Sequence, residues 1–162
     1  TPLILMCGHN ERLAQRLRAL PTNEQGKAPR IVVGFTAEVP RWLRLADFFV
    51  GKPGPGSLSE AVACGLPVVV TRNRRTMPQE RYNTVWVEEQ GVGLVIRRLA
   101  ELPQAVQTLA SRRADFAAAV ARQHNRAVLE VTEPIAALLT APLATRWTPA
   151  SSNGRATVTP MS

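Results

Sequence analysis

The sequence predicts an α/β domain in which a parallel sheet carries helices on both faces. Three observations predict it. Short continuous apolar runs recur along the chain, and such runs mark strands buried on both faces. Stretches with helical spacing of apolar residues separate them. Glycine- and proline-rich breaks stand at the ends of the runs. With 162 residues, of which 45% are hydrophobic, the chain fits one domain with a sizeable core.

The elements follow in order. Leu3-Ile4-Leu5-Met6-Cys7 reads as a strand ending at Gly8. Glu11 to Leu20 carries Leu13, Leu17 and Leu20 at helical spacing, and Pro21 stops it. Thr22 to Pro29 is a polar loop. Ile31 to Phe35 is the second strand. Val39 to Ala46 is a short helix with Pro40 suited to a first turn. Phe48-Phe49-Val50 is the third strand. Ser57 to Cys64 is a helix that Gly65 closes and Pro67 keeps from continuing. Val68-Val69-Val70-Thr71 is the fourth strand. Glu80 to Glu89 is a helix closed by Gly91, and Leu94-Val95-Ile96 is the fifth strand. Helical stretches at Leu102–Leu109 and Arg112–Leu139 complete a domain over residues 1–140. Residues 141–162, rich in Thr, Ser, Pro and Ala without periodicity, read as a disordered tail. There is no internal repeat.

Composition narrows the function classes. No apolar run approaches the roughly 18 residues of a membrane-spanning helix. The opening Thr1-Pro2-Leu3-Ile4 has no basic region and no initiator Met, so no signal peptide is expected and residues are expected to be missing upstream. Cys7 and Cys64 are the only cysteines, at the ends of different elements, which favours two free thiols and a cytoplasmic compartment. Neither His9 nor His124 has metal-ligand spacing to a cysteine, so no metal is expected. The formal net charge is +8, spread over pairs such as Arg74-Arg75, Arg97-Arg98 and Arg112-Arg113. The plain reading is a solvated arginine-rich surface. The functional readings are a nucleotide or an anionic membrane surface; without aromatic interleaving, nucleic acid is not expected.

The chemistry concentrates in Gly51-Lys52-Pro53-Gly54-Pro55-Gly56-Ser57-Leu58-Ser59-Glu60. A strand, a glycine-rich turn and a helix start let backbone N–H groups approach a phosphate, and the helix dipole favours its charge. Ligands of parallel sheets bind beyond the carboxyl ends of the strands. Gly8, Phe35, the Gly51–Gly56 turn and the Arg72–Gln79 loop share that edge and should line one crevice. A structural alternative stands beside this reading. Ser57 and Glu60 also have the spacing of a capping box, in which Glu60 returns to the N-cap N–H. Gln79 and Glu80 also fit a plain helix start after Pro78.

The ordered series Lys52 to Ala61, Gly65-Leu66-Pro67, Pro78-Gln79-Glu80 with Asn83, and Gly91-Val92-Gly93 resembles the C-terminal domain of family 28 glycosyltransferases, two-domain enzymes of the GT-B architecture. The flavour is that of the monogalactosyldiacylglycerol synthase type. Cys7-Gly8-His9-Asn10 and Gly34-Phe35-Thr36 fit as well, and the resemblance covers about residues 3–125. It implies a Rossmann-like domain that binds a UDP-sugar donor. Gly54, Pro55, Gly56 and Ser57 would contact the diphosphate, with Gly8 and Asn10 facing it from the neighbouring strand end. Glu60 would accept hydrogen bonds from the ribose hydroxyls. The turn at Phe35 would frame the uracil. Pro78, Gln79 and Glu80 would form the sugar corner, with Gln79 and Glu80 on hexose hydroxyls. Ser57 stands where many relatives carry Thr, Pro53 where they often carry Ala, and the Thr71–Met77 loop is more basic than usual.

The resemblance thus implies the donor-binding half of an inverting enzyme that moves a hexosyl unit from a UDP-sugar to a lipid or other acceptor, without a cofactor. The base and the acceptor site would lie on an N-terminal GT-B domain or on a separate acceptor-binding subunit. The expected location is cytoplasmic, with peripheral attachment at the inner membrane face. The alternatives are an enzyme of the UDP-GlcNAc 2-epimerase type and a non-catalytic nucleotide-binding module.

Overall fold

A computed structural model of the chain describes residues 2–21, 29–123 and 131–140. Residues 22–28 of the expected Thr22–Pro29 loop and the expected tail at 141–162 lie outside the described residues. The chain divides into two units, Thr1–His124 and Asn125–Ser162. In the first, the described elements are β1 (Leu3–Met6), α1 (Glu11–Ala19), β2 (Arg30–Val33), α2 (Val39–Leu43), β3 (Phe49–Gly51) and α3 (Pro55–Ala63). They continue with β4 (Val68–Thr71), α4 (Pro78–Gln90), β5 (Gly93–Ile96), a 3-10 turn (Leu99–Glu101), α5 (Leu102–Ser111) and α6 (Arg113–Ala121). In the second unit, α7 spans Thr132–Thr140.

Strand and helix alternate as the apolar runs predict, and every described strand pair is parallel. The strands form two ladders rather than the one sheet expected. One has the order β1-β2 and the other β3-β4-β5. Within the stretch expected as one helix from Arg112 to Leu139, the described residues hold α6, which ends at Ala121, and α7. At the end of α6 the Gln123 backbone N–H donates to the Val120 carbonyl at 2.9 Å, and its side-chain amide donates to Ala119 at 3.4 Å. These bonds satisfy carbonyls that a continuing helix would have used.

Strand β4 is the centre of the core. Val68, Val69 and Val70 are all fully buried. Alternation along the strand sends them to opposite faces. Val68 and Val70 pack with Leu58, Ala61 and Val62 of α3 and Val87 of α4. Val69 packs with Ala105 and Leu109 of α5 and Phe116 of α6. Burial of one such side chain is worth about 1.5–3 kcal/mol. The β1-β2 ladder is covered far less, with Leu3 52% and Ile31 46% exposed.

Two glycines are required by local geometry. Gly91 ends α4 in the left-handed region at φ +63°, as the sequence pattern predicts. A Cβ on Gly93 would lie 1.9 Å from the Val68 carbonyl oxygen, so the β4-β5 pairing needs glycine there. Proline sits within the first two positions of α2, α3, α4 and α5. Among the described residues no helix is long and apolar enough to cross a membrane.

Candidate functional site

Parallel strands carry their connections to helices on one edge, and the sequence-predicted residues lie there in two clusters. The first follows β3 and β4. Gly54 is the N-cap of α3, with Pro55, Gly56 and Ser57 as its first three residues. Pro55 has no N–H to satisfy, and its ring favours the helical start. The helix therefore begins two residues before the expected Ser57. That shift dissolves the capping box. Ser57 sits within the first turn, and its hydroxyl donates to the Gly54 carbonyl at 3.3 Å. No side chain caps α3. The N–H groups of Gly56 and Ser57 are first-turn donors that the helix itself cannot satisfy, and both residues are exposed.

Glu60 lies on α3 four residues after Gly56, hence on the same helix face. It is exposed, and among the described residues no group bonds its carboxylate. An uncapped helix start with a carboxylate one turn further offers donors to a phosphate and an acceptor to hydroxyls.

Helix α4 approaches the same turn. Pro78, Gln79 and Glu80 are its first three residues. Glu80 is half-buried. A Cβ added at Gly54 would lie 3.8 Å from its Oε1, so the Glu80 carboxylate stands against the turn. Gln79 is exposed, with its amide 3.5 Å from the Met77 sulfur. Asn83, one turn on, donates from Nδ2 to the Pro53 carbonyl at 2.7 Å. Pro53 is fully buried. Asn83 belongs to the motif series, but the sequence assigns it no site role, because the contact spans 30 residues and has no local signature.

The loop between β4 and α4 is bonded to itself. The buried Thr76 hydroxyl accepts from the Asn73 N–H at 2.9 Å and reaches the Thr71 carbonyl at 3.4 Å. Asn73 Oδ1 accepts from the Arg75 N–H at 2.9 Å. Arg74 and Arg75 are left exposed at the loop surface. The Arg72 N–H donates to Ile96 at 2.8 Å, which brings the Arg97-Arg98 corner alongside. There Glu101 accepts from the Arg97 N–H and the Arg98 guanidinium. Those bonds, the Arg97 N–H foremost, hold its carboxyl below the usual carboxylate range.

The second cluster follows β1 and β2. Gly8 is exposed at φ +54°. Asn10 is the N-cap of α1, and its Oδ1 accepts from the Leu13 N–H at 3.0 Å. His9 stacks on Phe35 with ring centroids 4.0 Å apart and 18° between planes. Phe35 is 66% exposed, so the pair forms an open aromatic step. The strong local contacts stay within each cluster. A separate cavity of about 500 Å³ opens by Glu88, Gly91, Gly93 and Arg112, at the amino end of β5 and away from both clusters. Among the described residues no group of three or more His, Cys, Asp or Glu side chains could hold a metal, and Cys7 and Cys64 are free.

The family model described as "Glycosyltransferase family 28 C-terminal domain" matches residues 1–133. The chain is 34% identical over 104 residues to monogalactosyldiacylglycerol synthase 3, chloroplastic, of Arabidopsis thaliana, covering 64% of this chain and 21% of that protein. It is 31% identical over 108 residues to the processive diacylglycerol beta-glucosyltransferase of Bacillus subtilis (strain 168), covering 66% of this chain and 27% of that protein. The chain thus spans only about a fifth to a quarter of these relatives' length. Its fold is similar to the glycotransferase of kitacinnamycin in its crystal structure, with TM-score 0.51 and 22% identity, over 75% of this chain and 37% of that one.

Proposed function

Because the chain belongs to the glycosyltransferase family 28 C-terminal domain, we propose that it is the donor-binding half of an enzyme that transfers a hexosyl unit from a UDP-sugar to a lipid acceptor. The observation that carries the reading is the uncapped start of α3, with Glu60 one turn on and Glu80 against the turn. The Gly56 and Ser57 N–H groups bind the diphosphate and stabilise the charge that grows on it as it leaves. Glu60 accepts the ribose hydroxyls, because a carboxylate makes strong charge-assisted bonds. Pro78, Gln79 and Glu80 bound the hexose, and a carboxylate there suits hydroxyls while repelling misplaced phosphate. The aromatic step of His9 and Phe35 holds the uracil by stacking, and Gly8 leaves the approach open. Asn10 acts on the site through α1, which it caps.

In this reading residues 1–140 are the donor domain and 141–162 an appendage. An N-terminal GT-B domain or a separate subunit brings the acceptor and the catalytic base. The exposed Arg74, Arg75, Arg97 and Arg98, with Met77 50% and Leu99 72% exposed beside them, face an anionic membrane surface where a lipid acceptor resides. Calorimetric titration of UDP and UDP-hexoses into the chain, beside Glu60→Ala, tests the donor reading. Binding lost in the variant is expected. Equal binding by both proteins would reject Glu60 as the ribose acceptor, and no binding by either would reject a donor site in this chain.

A further inference from the structure

The uncapped start of α3 supplies only part of the charge that a diphosphate needs. A helix end is worth about half a positive charge, and Glu60 one turn on and Glu80 against the turn add negative charge. A diphosphate brought there calls for a cation. The carboxyl edge of the sheet carries several guanidinium groups, and their surroundings separate them. Arg74 and Arg75 are exposed on the self-bonded loop, and Arg98 is bonded to Glu101. Arg72 differs. It is half-buried, and among the described residues no group bonds its guanidinium. A charged group drawn partly out of water costs free energy until a partner completes it.

The β4 ladder fixes the face on which Arg72 emerges. The Val68 N–H donates to Val92 and the Arg72 N–H donates to Ile96, so the two-residue step of the strand runs unbroken from Val68 through Val70 to Arg72. Residues two apart share a face. Val68 and Val70 pack against α3 and α4, so Arg72 emerges on that same face, just past the core. Gly51 pairs with Val70. Continuing that register by two residues sets Arg72 level with Pro53, directly before the N-cap Gly54. The other basic residue at this turn goes the opposite way. Phe49 packs on the α3 and α4 side, so alternation turns Lys52 to the far face.

We infer that Arg72 is the phosphate-binding cation of this site. Its guanidinium takes the distal phosphate of a nucleoside diphosphate, while the Gly56 and Ser57 N–H groups hold the remaining oxygens. The inference rests on the donor reading above, and it adds a residue to which the resemblance assigns no role. Arginine suits the task, because its planar fork grips two phosphate oxygens at once. Held partly against the sheet, it has less freedom to lose on binding than an exposed arginine.

Titration of UDP and of UMP into the full chain, Arg72→Gln, Arg72→Lys and Arg75→Gln tests this, with thermal unfolding alongside. UMP lacks the distal phosphate, so the ratio of the two affinities reads the contact. The unaltered chain should bind UDP more tightly than UMP. Arg72→Gln should shrink that ratio by about tenfold or more with UMP affinity held, and Arg72→Lys should restore part of it. Arg75→Gln, on the same loop, should keep the full ratio. An unchanged ratio in Arg72→Gln, equal loss of UDP and UMP, or the same shrinkage in Arg75→Gln would each overturn the inference. A chain that binds neither nucleotide rejects the donor reading, and this inference with it.

Discussion

Asn83 on α4 donates its side-chain amide to the carbonyl of Pro53 at 2.7 Å, which pins the glycine turn before α3 to the start of the next helix. Because Pro53 is fully buried, water cannot readily replace the lost donor. Asn83→Ala should therefore destabilise the fold by about 1–3 kcal/mol, the usual cost of an unsatisfied buried acceptor. Thermal unfolding reads the stability change. Titration of UDP into the variant below its melting temperature should show weaker binding, because the turn is no longer held.

Glu60→Gln should separate binding from folding. The side chain is exposed and unbonded by described residues, so stability should change by less than about 0.5 kcal/mol. UDP affinity should drop by roughly 10- to 150-fold, the equivalent of about 1.5–3 kcal/mol for hydrogen bonds to a charged group. A variant that melted early but bound normally would contradict both halves of this expectation.

Gly93→Ala should behave in the opposite way. A Cβ there meets the Val68 carbonyl oxygen at 1.9 Å, and backbone cannot yield as a flexible side chain can. The expected loss is about 1–3 kcal/mol or more. Denaturant unfolding checks it, and Gly56→Ala is the control, since nothing lies within 4 Å of a Cβ at that position.

The corner at Glu101 should respond to acid. Its carboxyl is held low by the Arg97 N–H and by Arg98. A depressed folded-state value means that the contribution is present above the ordinary carboxylate range and fades as pH falls through the lowered value. Exchange of the Arg97 amide, followed from neutral to acid pH and corrected for the intrinsic rate, should lose protection in that direction. Glu101→Gln should flatten the response.

Charge reversal at Arg74→Glu with Arg75→Glu should abolish co-sedimentation with phosphatidylglycerol vesicles and leave UDP binding intact. Both side chains are exposed on a loop whose own hydrogen bonds run through Asn73 and Thr76. Equal sedimentation of the two proteins would remove this loop from any membrane-facing surface.

Much of this arrangement could be read from the chain because its signals are local. Val68-Val69-Val70 is an unbroken apolar run and forms the buried part of the central strand, which Thr71 ends. Gly91 promised a helix end and supplies it at positive φ. Helix α3 starts two residues before the Ser57 that the sequence suggests, because Ser57 offers a cap while Pro55 has the stronger backbone preference. The division into two ladders was not legible, since a strand does not carry the identity of its neighbour. The same holds for Asn83, whose partner lies 30 residues away, and for the stacking of His9 on Phe35.

The prolines at the starts of α3 and α4 have a thermodynamic side. Pro55 and Pro78 fix φ at the two helix ends that meet beside Gly54. The donors of α3 are therefore ordered before any ligand arrives, and little backbone freedom remains to be lost on binding. Replacing either ring by alanine would leave every polar group of the site in the sequence and still loosen its grip, with the deficit appearing in the entropy of association.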